Sequence, residues 1–256
     1  MEVFSQALDV SKDLHILKVS TYDAKLIKLI DKYLVKICEG EDSEGVVRVK
    51  KRLLKFILSK HENTKMGAVA EFFIHLYLND CEYKQEFLFF NLEETSIKKG
   101  FDGVYTKDDK IYIVESKSGN EKTSGISHIN KLKEAYSDLK KYFDGTSSKG
   151  NNNPWRNAYN HASHGDIKAK DSLKKQIRTL ANLYDDESYG NIEDYNIIPC
   201  STIFLNDNWN EDFIINFMDS IDDLNDFNAN KIDLIVLTKL KLQSFINFLE
   251  SEEIND

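Results

Sequence analysis

Cysteine is scarce in this sequence and never paired by spacing. Cys38, Cys81 and Cys200 are odd in number and no C-x-x-C motif occurs, so neither a disulfide framework nor a zinc ribbon is supported. Isolated cysteines of this kind are expected in or near a core, and a reducing, cytoplasmic setting fits them. No run of eighteen apolar residues is present, and Met1 to Asp13 shows no basic segment followed by an apolar stretch. Neither a membrane span nor a signal peptide is expected. The phosphate loop G-x-x-x-x-G-K-[ST] is missing, so energy for remodelling nucleic acid has to come from another polypeptide. The nucleophile motif G-x-S-x-G is missing as well. Finally, Lys and Arg are absent from Asp185 to Asp226, a stretch that holds twelve acids.

What remains is enough to fold. The 256 residues are 41% hydrophobic and 11% aromatic, which can fill a core. A net charge of −9 argues against a surface that grips nucleic acid everywhere. Charge is instead polarised. Arg48, Lys50, Lys51, Arg52, Lys55, Lys60 and Lys65 crowd one segment. The segment reads either as a DNA-backbone track, with Arg48, Lys50, Lys51, Arg52 and Lys55 as contacts, or as the solvated face of an amphipathic helix. The acidic tract reads as solvated surface, as a dock for a basic partner, or as a shield that keeps nucleic acid away.

Periodicity organises the chain. Leu14 to Ser20 reads as a strand. Helical spacing follows over Thr21 to Glu39, then over Glu44 to Ser59 with Ser43 as a cap, then over Thr64 to Asn79, which is apolar on nearly every side and so buried. The period then becomes extended, with strands over Glu86 to Asn91, Phe101 to Thr106 and Ile111 to Lys117, the last two forming a hairpin. Ser127 to Phe143 is an amphipathic helix, and Gly145 to Asp166 reads as a long loop. A helix over Ile167 to Tyr184 precedes a strand (Asn196 to Leu205), a helix (Glu211 to Asp223), a strand (Ile232 to Leu237) and a closing helix (Leu240 to Glu250). An α/β architecture with a mixed sheet flanked by helices is expected. One domain, 1–256, is expected, with a helical N-terminal elaboration (1–63), a core (64–145) and a C-terminal α/β part (167–256).

The triplet Glu115-Ser116-Lys117 means little alone, because acid-x-Lys triplets such as Asp108-Asp109-Lys110 arise by chance. Its hairpin position gives it weight. With Thr106 opposite Ile111, Val104 faces Ile113 and Asp102 faces Glu115, side chains about 5 Å apart on one face. Lys117, two residues on, shares that face. A slip of one residue would remove Asp102 from it. Two carboxylates this close repel unless one is protonated or a cation lies between them. Mg²⁺, or Mn²⁺, favours such oxygen ligands with water and phosphate. A neighbouring lysine can hold an attacking water and offset charge on a phosphate. A strand-end salt-bridge cluster is the plainer alternative. Glu71, on the buried helix with Gly67, Ala68, Ile74 and His75 on its stripe, favours the functional reading, since a carboxylate there is costly unless paired or metal-bound. His75 reads as a satisfied core histidine or a support for Glu71. His161-Ala-Ser-His164 reads as loop surface, not a metal pair.

Gly67-x-x-x-Glu71, Phe101-Asp102-Gly103 and Val114-Glu115-Ser116-Lys117 together resemble the core of the PD-(D/E)xK nuclease superfamily, and more closely HamA, the nuclease component of the Hachiman anti-phage system. The motifs span Met66 to Gly119, and Phe101 stands where the superfamily name has proline. The resemblance implies a restriction-endonuclease-like core, metal binding by Asp102 and Glu115 with the Ser116 carbonyl as a further ligand, water assistance by Lys117 and metal support from Glu71. It also implies DNA cleavage controlled by a helicase partner, HamB, in a hetero-complex. Two other readings stand beside it: a catalytically silent DNA- or helicase-binding module, and a stand-alone restriction or repair endonuclease.

Overall fold

The central strand, β4 (Lys110–Asn120), joins two differently built halves of one sheet. The computed structural model describes residues 13–41, 45–90, 100–147 and 153–251. On one side β4 pairs antiparallel with β3 (Gly103–Lys107), which pairs antiparallel with the two-residue β2 (Lys84–Gln85). On the other side β4 runs parallel to β5 (Asn196–Leu205), β5 to β6 (Lys231–Leu240), and β6 to β1 (Asp13–Val19). The order is β1-β6-β5-β4-β3-β2. All of β5 is buried, as expected for a parallel strand covered on both faces. Pro199 sits within β5 beside Glu115, and the pairing with β6 passes from Ile197↔Ile232 to Cys200↔Ile235. A residue without an N–H is tolerated at such a break in the ladder.

Helices cover both faces. One layer holds α1 (Ala24–Glu39), α2 (Val46–Leu58), α3 (Glu62–Asp80) and α8 (Leu242–Glu250), whose Leu34, Leu53, Phe72, Phe73 and Phe245 pack with Val114 and Ile198. The other holds α4 (His128–Phe143), α5 (Pro154–Ala162), α6 (Asp171–Asp185) and α7 (Asp212–Asp219), whose Leu132, Leu139, Trp155, Ile177 and Phe217 pack with Val104, Ile113 and Ile197. Alternation along β4 therefore sends Tyr112 and Val114 to the α3 layer and Ile113 to the α4 layer. The N-terminal part expected as a helical elaboration supplies the edge strand β1 as well as two helices, α1 and α2, of one layer.

Most expected elements appear within a few residues of their reading. The strand over Glu86 to Asn91 does not. Phe87, Leu88 and Phe89 are buried there, but the ladder itself is confined to Lys84–Gln85; Asn91 lies outside the described residues. The loop over Gly145 to Asp166 also needs correction, because it contains α5. Asn153 accepts the Arg156 N–H at 3.0 Å and Pro154 opens the helix, a start signal masked by the polar composition around it. His161 is consequently no loop-surface residue. It is buried, its ring stacks on Phe87 at 3.7 Å, and its Nδ1 accepts the Leu88 N–H. Helix α2 begins after Gly45 without a side-chain cap; the expected cap Ser43 lies outside the described residues. The acidic tract is mostly exposed, with Asp185, Glu211 and Asp223 paired to Arg156, Lys18 and Lys133.

The hairpin register is the one expected, Thr106↔Ile111 and Val104↔Ile113, tightened by a further pair, Lys107↔Lys110. Asp108 and Asp109, at φ 50° and 57°, form the two-residue turn between them. Two left-handed residues match the twist of the flanking strands, and aspartate visits that region more readily than most side chains. Replacing both by valine should lower unfolding free energy by roughly 2–4 kcal/mol, about 1–2 per residue. Asn-Gly at the same positions should leave stability nearly unchanged. Urea denaturation of the two variants checks this.

Candidate active site

Glu115 and Lys117 follow Ile113 along β4 and face the α4 layer. Glu115 is 1% exposed. A carboxylate so deep is expensive without a compensating charge. Lys117 provides one, with Nζ 2.5 Å from Glu115 Oε1. The same ammonium lies 2.9 Å from Asp138 Oδ2 on α4. Burial by itself pulls Lys117 toward the neutral form. The charges of Glu115 and Asp102 and the hydrogen bonds to Glu115 and Asp138 outweigh it, holding the group above the usual lysine range.

Asp102 immediately precedes β3 and is placed differently from a simple ladder partner. Ladder pairing ends at Gly103↔Val114. The Asp102 N–H donates to the Val114 carbonyl at 3.1 Å, and its carboxylate Oδ2 accepts the Ser116 N–H at 2.7 Å. The side chain thus takes the place of a strand where β3 leaves β4. Asp102 therefore approaches β4 through the edge of the strand, at Ser116, rather than standing in parallel with Glu115. Three neighbours sense both carboxylates. Lys117 is raised by them. The Tyr142 hydroxyl on α4 is pushed up by burial and then by Glu115 and Asp102, and the buried Cys200 thiol by burial and then by Asp102 and Glu115.

Glu71 reaches the hairpin from the other layer. Its Oε1 lies 3.3 Å from Nε2 of His75, whose Nδ1 meets the Tyr105 hydroxyl. A Cβ on Gly103 would stand 3.1 Å from Tyr105 Cε2 and 3.3 Å from His75 Cε1, so a side chain beside Asp102 would crowd this pair. Buried His75 is held neutral, its pKa lowered to about 3 by desolvation. The network then assigns Nε2–H as donor to Glu71 and Nδ1 as acceptor from Tyr105. Both readings of His75, core residue and support for Glu71, describe it. Glu71 does not share the sheet face of Glu115 and Lys117.

The basic segment divides. Arg48, Lys51, Arg52 and Lys55 are exposed, and Arg52 pairs with Glu39 at 2.7 Å. Lys50 contradicts its expected role as a DNA contact. It is buried, 3.5 Å from Asp31 and 4.2 Å from the centre of the Phe248 ring, because its position on α2 falls on the stripe of Val49, Leu53 and Ile57 that docks against α8. Asp138 and Tyr142 are the site residues that sequence reasoning missed. Their spacing of four puts them on one stripe of α4, next to buried Ala135 and Leu139. An acid bordering an apolar stripe, the argument used for Glu71, was the available signal.

A six-stranded mixed sheet between two helical layers, with an acid, a second acid and a lysine at the junction of its halves, is a restriction-endonuclease-like α/β fold. A family model described as HamA matches residues 9–252. The chain therefore belongs to the HamA family, whose members are components of Hachiman anti-phage defence. Curated proteins and solved structures return no match. Among the described residues no helix is long and apolar enough to cross a membrane.

The site predicts a pH effect on stability. His128 resembles His75: buried, bonded to Ser201 Oγ and Thr238 Oγ1, its pKa lowered to about 3. Above the ordinary histidine value of 6.5 folded and unfolded chains both keep these rings neutral. Below it the unfolded chain takes up protons that the folded chain refuses until about pH 3, so stability falls with pH through that window. By about pH 5.5 each ring should account for a loss of roughly 1.4 kcal/mol. Urea unfolding at pH 7.5 and 5.5 should show the loss, and a His75→Gln/His128→Gln double variant should show a smaller difference.

Proposed function

We propose that this chain is the nuclease effector of a Hachiman-type complex, a Mg²⁺- or Mn²⁺-dependent enzyme that hydrolyses phosphodiester bonds in DNA under the control of a helicase partner. The observation that carries the reading is that the Asp102 carboxylate meets β4 at the Ser116 N–H, between Glu115 and Lys117, whose side chains are paired, at an edge where β4 is not covered by the β3 ladder.

The donor set suits a hard cation. Asp102 and Glu115 supply carboxylate oxygens. The Ser116 carbonyl adds a third oxygen, because in an extended strand it projects to the same edge as its N–H, which meets Asp102. A bound divalent ion would supply an activated water and neutralise charge on the phosphate. Lys117 has three donors on its ammonium; released from one carboxylate, it can turn an N–H toward the water or a phosphate oxygen and oppose the charge that grows as the phosphorus–oxygen bond breaks. Glu71 acts at one remove, through His75 and Tyr105 of β3.

Asp102→Ala, Glu115→Gln and Lys117→Ala should each abolish cleavage while the circular dichroism spectrum stays unchanged. Plasmid and linear DNA, with Mg²⁺ or chelator and with or without the neighbouring gene's product, form the assay. Metal-dependent cleavage surviving all three substitutions would refute the assignment. Glu71→Ala should impair cleavage without abolishing it.

One observation favours the second reading, a catalytically silent DNA- or helicase-binding module. Among the described residues no set of three or more His, Cys, Asp or Glu is grouped to hold a metal ion. DNA affinity indifferent to Mg²⁺, with no products at any enzyme concentration, would establish it.

The face of α2 gives a separate test. If Lys51 and Lys55 contact phosphates, the Lys51→Glu/Lys55→Glu variant should flatten the salt dependence of DNA binding by about 2 in log–log slope. Lys50→Ala should lower stability and leave that slope alone.

A further inference from the structure

We propose that Asp138 is a positioning residue for Lys117: from α4 it holds the ammonium in place when Glu115 turns its oxygen to a cation. The inference rests on the nuclease reading above.

Lys117 Nζ lies 2.5 Å from Glu115 Oε1 and 2.9 Å from Asp138 Oδ2. An ammonium and a divalent ion compete for the same carboxylate oxygen, so a cation that binds Glu115 weakens the Lys117 contact. The lysine stem is flexible, with four carbons between charge and backbone, and its strand alone does not fix the charged end. Asp138 does so from a rigid support. Ser127 caps α4 by accepting the Asn130 N–H, and His128 ties its first turn to β5 and β6 through Ser201 and Thr238. Leu132, Ala135 and Leu139 bury the same helix against the sheet, so α4 docks without help from the ion pair. Side-chain exposures of 14% for Lys117 and 17% for Asp138 keep water from screening the pair as it screens surface charges. The second carboxylate oxygen faces Lys141 at 3.7 Å, which orients the group with one oxygen toward each lysine. Without Asp138 the ammonium leans more heavily on Glu115, and a cation has to displace it.

Mn²⁺ affinity of the full chain, measured by electron paramagnetic resonance, tests this apart from activity. Asp138→Asn should weaken Mn²⁺ binding roughly 5- to 30-fold, the size of coupling found between contacting groups. Asp138→Glu should restore most of it. In a Lys117→Ala background the Asp138→Asn change should alter affinity less than about twofold, since the group through which it acts is gone. An equal loss with and without Lys117 would mean that Asp138 ligates the ion itself, and no loss in the Lys117-containing chain would mean that the pair is only structural; either result overturns the proposal. Asp138→Ala serves in place of Asp138→Asn if the latter melts early. Mn²⁺ binding that survives Glu115→Gln is a separate outcome: it overturns the nuclease site and, with it, the role given to Asp138.

Discussion

Alternation along a doubly covered strand is the constraint on which this structure depends. With α3 on one face of β4 and α4 on the other, successive residues enter different cores. Tyr112 and Val114 join aromatic and aliphatic side chains of the N-terminal helices, whereas Ile113 joins those of the central ones. A shift by a single residue would exchange the two sets and drive Glu115 into the apolar α3 layer. Because both faces are packed, the error has no inexpensive resting place. The tight Asp108–Asp109 turn and the two cores therefore specify the same register by independent means.

That register concentrates charge where the sheet is least complete. β3 leaves β4 after Gly103, which exposes the strand edge at Ser116, and the Asp102 carboxylate fills the gap. Glu115 is buried a residue away, and Lys117 brings the opposite charge. The cluster has an excess of carboxylate over ammonium when Asp138 is included, which is the electrostatic setting in which a further cation is attracted. Burial raises the proton affinities of Tyr142 and Cys200 nearby, and the same field adds to the rise.

Two neutral histidines fasten the layers around this cluster. His75 joins α3 to β3 through Tyr105 while holding Glu71, and His128 joins α4 to β5 and β6. Each occupies a place where an apolar side chain could pack but could not bond to strands beneath it. The elements carrying Glu71 and Asp138 are thus located by hydrogen bonds as well as by apolar contact. The polarised charge lies elsewhere, on the exposed side of α2 and along the acidic tract.

Much of this was legible in the residues themselves. The periods of 3.6 and 2.0 are local properties, so β5, α4 and α8 appear close to where spacing alone places them. The hairpin could be counted outward from its turn, and with it the company of Asp102, Glu115 and Lys117. What spacing could not show was decided by contacts distant along the chain. Lys50 looks like any exposed lysine until α8 covers it, and His161 looks like loop until Phe87 stacks on it. Asp138 acquires a role only when α4 crosses β4, and Glu71 is assigned to the opposite layer only by the sheet beneath α3. Local periodicity determines which side of its own element a residue faces; only packing between elements determines what that side meets.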